Sequence, residues 1–148
     1  MKVYLDTSVI SALFDARNPE RKALTETFFR ESADLELFTS TVTLLEIEET
    51  SNPALRERMR SRALQMSILS VSETTKWLAS EYLRYGGIPE SHLEDAYHIA
   101  VALENAMDCL LSWNFRHLVR RKTKDIIRMA NSLNQFRQIE IMTPGEML

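Results

Sequence analysis

Lys2-Val3-Tyr4-Leu5-Asp6-Thr7-Ser8 opens the chain with a short apolar run that stops on a carboxylate. The run is too short for a helix, and the helix-capping residues that bound it read as the end of a buried strand. Ser8 to Phe14 then reads as a short helix. The same alternation recurs along the chain. Strands are expected at Leu35–Phe38, Ile68–Val71, Asp108–Ser112 and Ile139–Met142. Helices are expected from Asn18-Pro19 to about residue 32, after Thr39-Ser40-Thr41, from Asn52-Pro53 to about 66, and from Ser72 to near Gly86. Two more are expected, one running from Ser91 to about Glu104 and one over 124–136. Asn18-Pro19 and Asn52-Pro53 pair a cap residue with a proline at the first helical position. Ser91 and Glu94 have the spacing of a capping box. Short apolar strands alternating with helices imply a three-layer α/β/α sandwich around a mostly parallel sheet of about five strands. Ligands of such sheets bind outside the carboxyl ends of the strands.

Composition narrows the function classes. At 148 residues, with no repeat and no linker-like tract, the chain is expected to be one domain, residues 1–148. Its single cysteine, Cys109, excludes an internal disulfide and suits a reducing, cytoplasmic location. Nothing resembles a secretory signal or a membrane span, so no membrane partner is expected. The net charge of −3 is unusual for a nucleic-acid binder, but the charge is segregated. Arg116, His117, Arg120, Arg121, Lys122, Lys124 and Arg128 form one basic stretch, and Arg56, Arg58, Arg60 and Arg62 another. Either run is a basic rim for a polyanion or a solvated helix face.

Three carboxylates occupy corresponding places. Asp6 ends the first strand, where it either caps the following helix or meets a cation. Glu46 lies at the edge of the buried stripe of the helix after the second strand, near Val42, Leu45 and Glu49, with Glu48 turned to solvent. Asp95 lies in the first turn of its helix, where the helix dipole alone accounts for a carboxylate. Together they would repel, and a hard divalent cation relieves that repulsion. Mg²⁺ suits one or two carboxylates plus waters and a substrate phosphate, the arrangement that cuts a phosphodiester.

On these residues the chain resembles the PIN-domain family, in particular VapC-like toxin ribonucleases. Its opening, Met1 to Ile10, is similar to the start of a PIN domain. Thr41-Val42-Thr43-Leu44-Leu45-Glu46 resembles the second acidic motif, and Glu94-Asp95-Ala96-Tyr97-His98-Ile99-Ala100 the third. Leu110-Leu111-Ser112-Trp113-Asn114-Phe115 resembles the fourth in a Trp-Asn form. The resemblance implies Mg²⁺- or Mn²⁺-dependent cleavage of RNA, frequent homodimers and inhibition by a cognate antitoxin. By motif, Asp6, Glu46 and Asp95 are the metal-binding acids. Thr7 or Ser8 would support the first, and Ser112 would line the same edge. The departure is Asn114, which stands where an aspartate is common; its carbonyl still offers an oxygen but no charge. Asp108 is no substitute, being about 13 Å away at the opposite end of its strand.

Other residues are weighed against plainer roles. His98 reads as a satisfied structural histidine, with approach to the metal edge or a bond to a neighbouring carboxylate as the alternatives. His117 is a surface or phosphate-contacting residue, and His92 an exposed first-turn one. Trp113 packs over the strand end or stacks on a base, and Arg116 is the first candidate for a phosphate contact. Two other functions compete. A non-catalytic PIN-like module would bind RNA or protein without cleaving. A haloacid-dehalogenase-like phosphatase would need an aspartate two residues after Asp6, where Ser8 stands.

Overall fold

The computed structural model describes residues 1–148. Five strands form one sheet: β1 Lys2–Leu5, β2 Glu36–Ser40, β3 Ser67–Leu69, β4 Cys109–Leu111 and β5 Glu140–Met142. Every pairing is parallel, and the spatial order is β3-β2-β1-β4-β5. The helices are α1 Thr7–Ala12, α2 Pro19–Arg30, α3 Thr41–Glu48, α4 Pro53–Ala63, α5 Glu73–Arg84, α6 Leu93–Glu104 and α7 Arg121–Leu133. None is long and apolar enough to cross a membrane.

Strand alternation sorts the core into two layers. Tyr4, Leu110 and Ile141 face the cluster built with Leu78, Tyr82, Ile99 and Ile127 of α5, α6 and α7. Val3, Leu5, Cys109 and Leu111 face the opposite cluster, with Val9, Ile10, Phe28, Ile47 and Met59 from α1 to α4. Both faces of the sheet are covered, which is why its strands are runs of apolar residues.

The helix starts follow their cap residues. Asn18 and Asn52 accept from the backbone N–H groups of their first turns, ahead of Pro19 and Pro53. Ser40 caps α3, and Ser72 with Thr75 forms a reciprocal capping box at α5. The box expected at Ser91 and Glu94 is absent. Instead a single tight turn over Glu90–His92 leads into α6, whose cap position is His92 and carries no side-chain cap. That turn already satisfies backbone groups, so the serine is not needed as a cap. Leu45 also differs from expectation: it is 69% exposed, and Leu44 packs on the core in its place.

The sequence runs outward from β1 to β2 and β3 on one side, then returns to β4 and β5 on the other. The direction therefore switches between β1 and β4, and the carboxyl ends of those two strands form the crevice where α/β sheets bind ligands.

Candidate metal centre at the carboxyl edge of the sheet

Asp6 and Ser112 are the residues that follow β1 and β4 at this switch point. Parallel pairing of Leu5 with Leu111 brings them side by side, and Ser112 Oγ donates to Asp6 Oδ2 at 2.5 Å. Asp6 is also the α1 cap: Oδ1 accepts from Val9 N–H at 3.3 Å and from Ser8 Oγ at 2.5 Å. The two sequence readings of Asp6 are thus compatible, because Oδ1 takes the two α1 contacts while Oδ2, with one bond from Ser112, keeps a lone pair. The two hydroxyls are themselves held, Ser8 Oγ by Trp113 N–H and Ser112 Oγ by Asn114 N–H. Only 3% of Asp6 is exposed. Burial raises its pKa, and the nearby Glu46 charge adds to the rise, against lowering by His98, Ser112 and Ser8.

Glu46 reaches the crevice from α3, one strand further out. Its Oε1 accepts from Thr7 Oγ1 at 3.0 Å and lies 2.5 Å from His98 Nε2. Thr7 therefore supports the second acid, while Ser8 supports the first. Burial alone would lift the Glu46 pKa; the His98 contact and the Thr7 hydroxyl outweigh it and hold the carboxyl below its ordinary value.

Sequence reasoning placed His98 among structural residues. It is 2% exposed and joins the acid cluster to the sheet core. Its Nδ1 lies 2.7 Å from the Tyr4 hydroxyl, which lies 2.7 Å from Ser40 Oγ. With a neutral ring, Ser40 donates to Tyr4, Tyr4 to Nδ1, and Nε2–H to Glu46. With a charged ring, Nδ1–H donates to Tyr4 and Tyr4 to Ser40, so the row is satisfied either way. Burial opposes the charged ring, but Tyr4, Glu46 and Asp6 raise the His98 pKa well above its ordinary value. The signal was present in the sequence as the helical spacing of three residues between Asp95 and His98.

Asp95 enters from the first turn of α6. Burial raises its pKa and Glu46 adds to the rise, while His98, His117 and His92 lower it. Asp6 and Asp95 therefore both feel Glu46, so the three acids share one electrostatic environment. Asn114 donates from Nδ2 to Asp95 Oδ1 at 3.3 Å. Its Oδ1 is used elsewhere: it accepts from Arg116 N–H at 3.1 Å and His117 N–H at 2.9 Å. His117 Nδ1 then lies 3.1 Å from Asp95 Oδ2.

The remaining candidates separate by surroundings. Trp113 is buried and donates from Nε1 to Thr25 Oγ1, so it packs over the strand end. Arg21 lies over both the Trp113 and the half-exposed Phe115 rings. Arg116 is exposed, and its guanidinium makes no protein hydrogen bond. Glu49 is exposed, and Glu48 pairs with Arg60 on the surface. Asp108 sits at the far end of β4, where it accepts from Lys2 N–H. Of the second basic run, Arg60 pairs with acids, Arg56 bonds the Thr50 carbonyl, and Arg58 and Arg62 lie over phenylalanine rings.

A twice-covered parallel sheet with carboxylates at its topological switch point defines an α/β protein with an acidic site at the carboxyl edge of the sheet. The PIN-domain family model matches residues 3–122, and the chain belongs to that family. In fold it is similar to VapC20 of Mycobacterium tuberculosis, a toxin that cleaves the sarcin–ricin loop. That comparison covers 93% of this chain and 98% of the other, at 15% identity and a TM-score of 0.63. VapBC-1 from nontypeable Haemophilus influenzae is similar over 97% and 98% of the two chains, with 18% identity and a TM-score of 0.63. VapBC2 from Rickettsia felis, solved with a DNA fragment from its promoter, is similar over 95% and 97%, with 11% identity and a TM-score of 0.61. No curated protein matches the sequence.

Proposed function

We propose that the chain is a Mg²⁺- or Mn²⁺-dependent endoribonuclease and the toxin of a type II toxin–antitoxin pair. The observation that carries this reading is that Glu46 and His98 act electrostatically on both Asp6 and Asp95, and that each acid is oriented by hydroxyl or imidazole groups. The donor set fits a hard ion. It offers carboxylate oxygens only, burial penalises the charge on Asp6 and Asp95, and Glu46 Oε2 makes no protein hydrogen bond. Asp6, Glu46 and Asp95 would hold the ion. When bound, it lowers the pKa of a water and neutralises charge on the phosphate oxygens.

The chain's own residues supply orientation. Ser8 and Ser112 hold the Asp6 carboxylate in the plane set by the α1 cap, and Thr7 with His98 holds Glu46. Such positioning keeps the reacting atoms aligned without reorganisation during the reaction. Arg116, exposed beside the crevice, is the side chain for a substrate phosphate, and Phe115 offers a ring to a base. The overall acidity then places attraction for RNA on the 116–128 stretch alone. The toxin assignment draws on the VapC and VapBC proteins of similar fold and brings a cognate antitoxin as partner. A homodimer in the cytoplasm completes the reading.

The test is RNA cleavage by the wild type and by Asp95→Asn, with Mg²⁺ or Mn²⁺ and with EDTA. Cleavage by the wild type that EDTA and Asp95→Asn both abolish is expected. Asn114 in an acid's usual place favours the competing reading of a binding module. RNA bound but uncut by the wild type with either metal would establish that reading instead.

A further inference from the structure

Asn114 stands where PIN domains often carry an acid, yet its amide oxygen is turned into its own loop. It accepts from the backbone N–H groups of Arg116 and His117. His117 is fixed from the other side as well, since its carbonyl accepts from the buried Thr123 Oγ1 at 2.7 Å. The loop is therefore built to present the His117 imidazole, and it presents Nδ1 to Asp95 at 3.1 Å. His92, at the start of α6, stacks beside it with ring centroids 3.9 Å apart. Donor atoms of His92, Asp95 and His117 all lie within 4.8 Å of one another.

We propose that His92, Asp95 and His117 form a nitrogen-rich site for one borderline transition ion of the Zn²⁺ or Co²⁺ kind, distinct from the all-oxygen Mg²⁺ or Mn²⁺ centre and sharing Asp95 with it. The geometry is close to what coordination needs. Ligands at about 2.1 Å from a metal are about 3.0–3.4 Å apart when adjacent, which the Asp95–His117 pair already satisfies. The His92 side chain is exposed and free to turn the small remaining distance. Two imidazoles and one carboxylate suit Zn²⁺ or Co²⁺, whereas Mg²⁺ and Mn²⁺ favour oxygen ligands.

The proposal extends the nuclease reading through Asp95, and Co²⁺ as a coloured probe separates the two. Metal-free protein is titrated with Co²⁺ and followed by visible ligand-field absorption, in the wild type, His92→Ala, His117→Gln and Asp6→Asn. Mg²⁺ binding is read in parallel as a thermal shift. The wild type and Asp6→Asn are expected to bind Co²⁺ alike. His92→Ala and His117→Gln should weaken it by about tenfold or more, with the Mg²⁺ shift of His92→Ala unchanged. Co²⁺ binding insensitive to both histidine variants overturns this proposal, even if the Mg²⁺ shift is intact. Loss of the Mg²⁺ shift from the wild type, with Co²⁺ binding still dependent on the histidines, overturns the Mg²⁺ centre and leaves this site standing. His92→Ala, at an exposed position whose side chain makes no cap hydrogen bond, guards against loss of fold in His117→Gln.

Discussion

Asp6→Asn should change stability in opposite directions with and without metal. In the metal-free protein the Asp6 carboxylate is buried, its pKa raised chiefly by that burial. A folded-state pKa above the unfolded value means that ionising Asp6 favours unfolding. The penalty is absent below the unfolded pKa near 3.8, grows as pH rises toward the folded value, and is fully present above it. At pH 7 each tenfold weakening of its acidity corresponds to about 1.4 kcal/mol. The amide removes that penalty and keeps the network. Its oxygen accepts from Ser8 and Val9 as before, and its NH₂ donates to Ser112 Oγ, whose proton turns to Ser8 Oγ, 3.4 Å away. Asparagine is also as good a helix cap as aspartate. The variant in EDTA should therefore be the more stable of the two at pH 7 and melt at the higher temperature. Mg²⁺ at a hundred times its Kd should add about 2.7 kcal/mol to the wild type and nothing to the variant. Thermal denaturation at pH 7 in EDTA and in excess MgCl₂ reads both, and lowering the pH to the unfolded value near 3.8 should shrink the EDTA difference. A variant less stable than wild type in EDTA, or one with a wild-type Mg²⁺ shift, would refute the claim that Asp6 is a carboxylate kept charged for an ion.

Two further outcomes bear on the core beside the site. Burial pushes the Cys109 thiol up to about 11, so a thiol reagent at pH 8 should modify the native chain only as fast as it unfolds, and the denatured chain at once; rapid native modification would show that β4 is not sealed. Tyr82→Phe removes the hydroxyl that donates to Asn131 Oδ1 at 2.7 Å inside the α5–α6–α7 layer. Denaturant unfolding should show a loss of about 1–3 kcal/mol with the Mg²⁺ shift unaltered, and a neutral substitution would mean that water reaches this pair.

The strands were legible because parallel sheets bury both faces, and an apolar run between capping residues has few other readings. Boundaries moved by a residue or two where caps competed: Asp6 and Ser112, counted with their strands from sequence, belong to the turns that follow them. The box at Ser91 was misread because a capping pattern is local, whereas the tight turn over Glu90–His92 positions His92 beside His117 from a distant loop. Asp6 and Glu46 were legible as candidates because each follows a strand in the βα alternation, whereas Asp95 sits in a helix that follows another helix and was legible through its motif. Their convergence needed the strand order, which no single motif contains.

The histidines were illegible for a different reason. The three-residue spacing from Asp95 puts His98 beside the site, but nothing in the sequence around His92 or His117 distinguishes a ligand from a surface residue. Their roles arise from hydrogen bonds made by other groups: Tyr4 aims His98 at Glu46, and Asn114 aims His117 at Asp95. Read as a missing acid, Asn114 suggests a weakened centre. Read with its contacts, it is the residue that shapes the loop carrying a new ligand. An aspartate there would also accept from the two backbone N–H groups, but it would set a second negative charge 3.3 Å from Asp95 in place of the amide donor. Restoring the commoner residue should therefore strengthen the pull of the oxygen centre on Mg²⁺ while drawing His117 no further from Asp95, a change in ion preference rather than a simple repair.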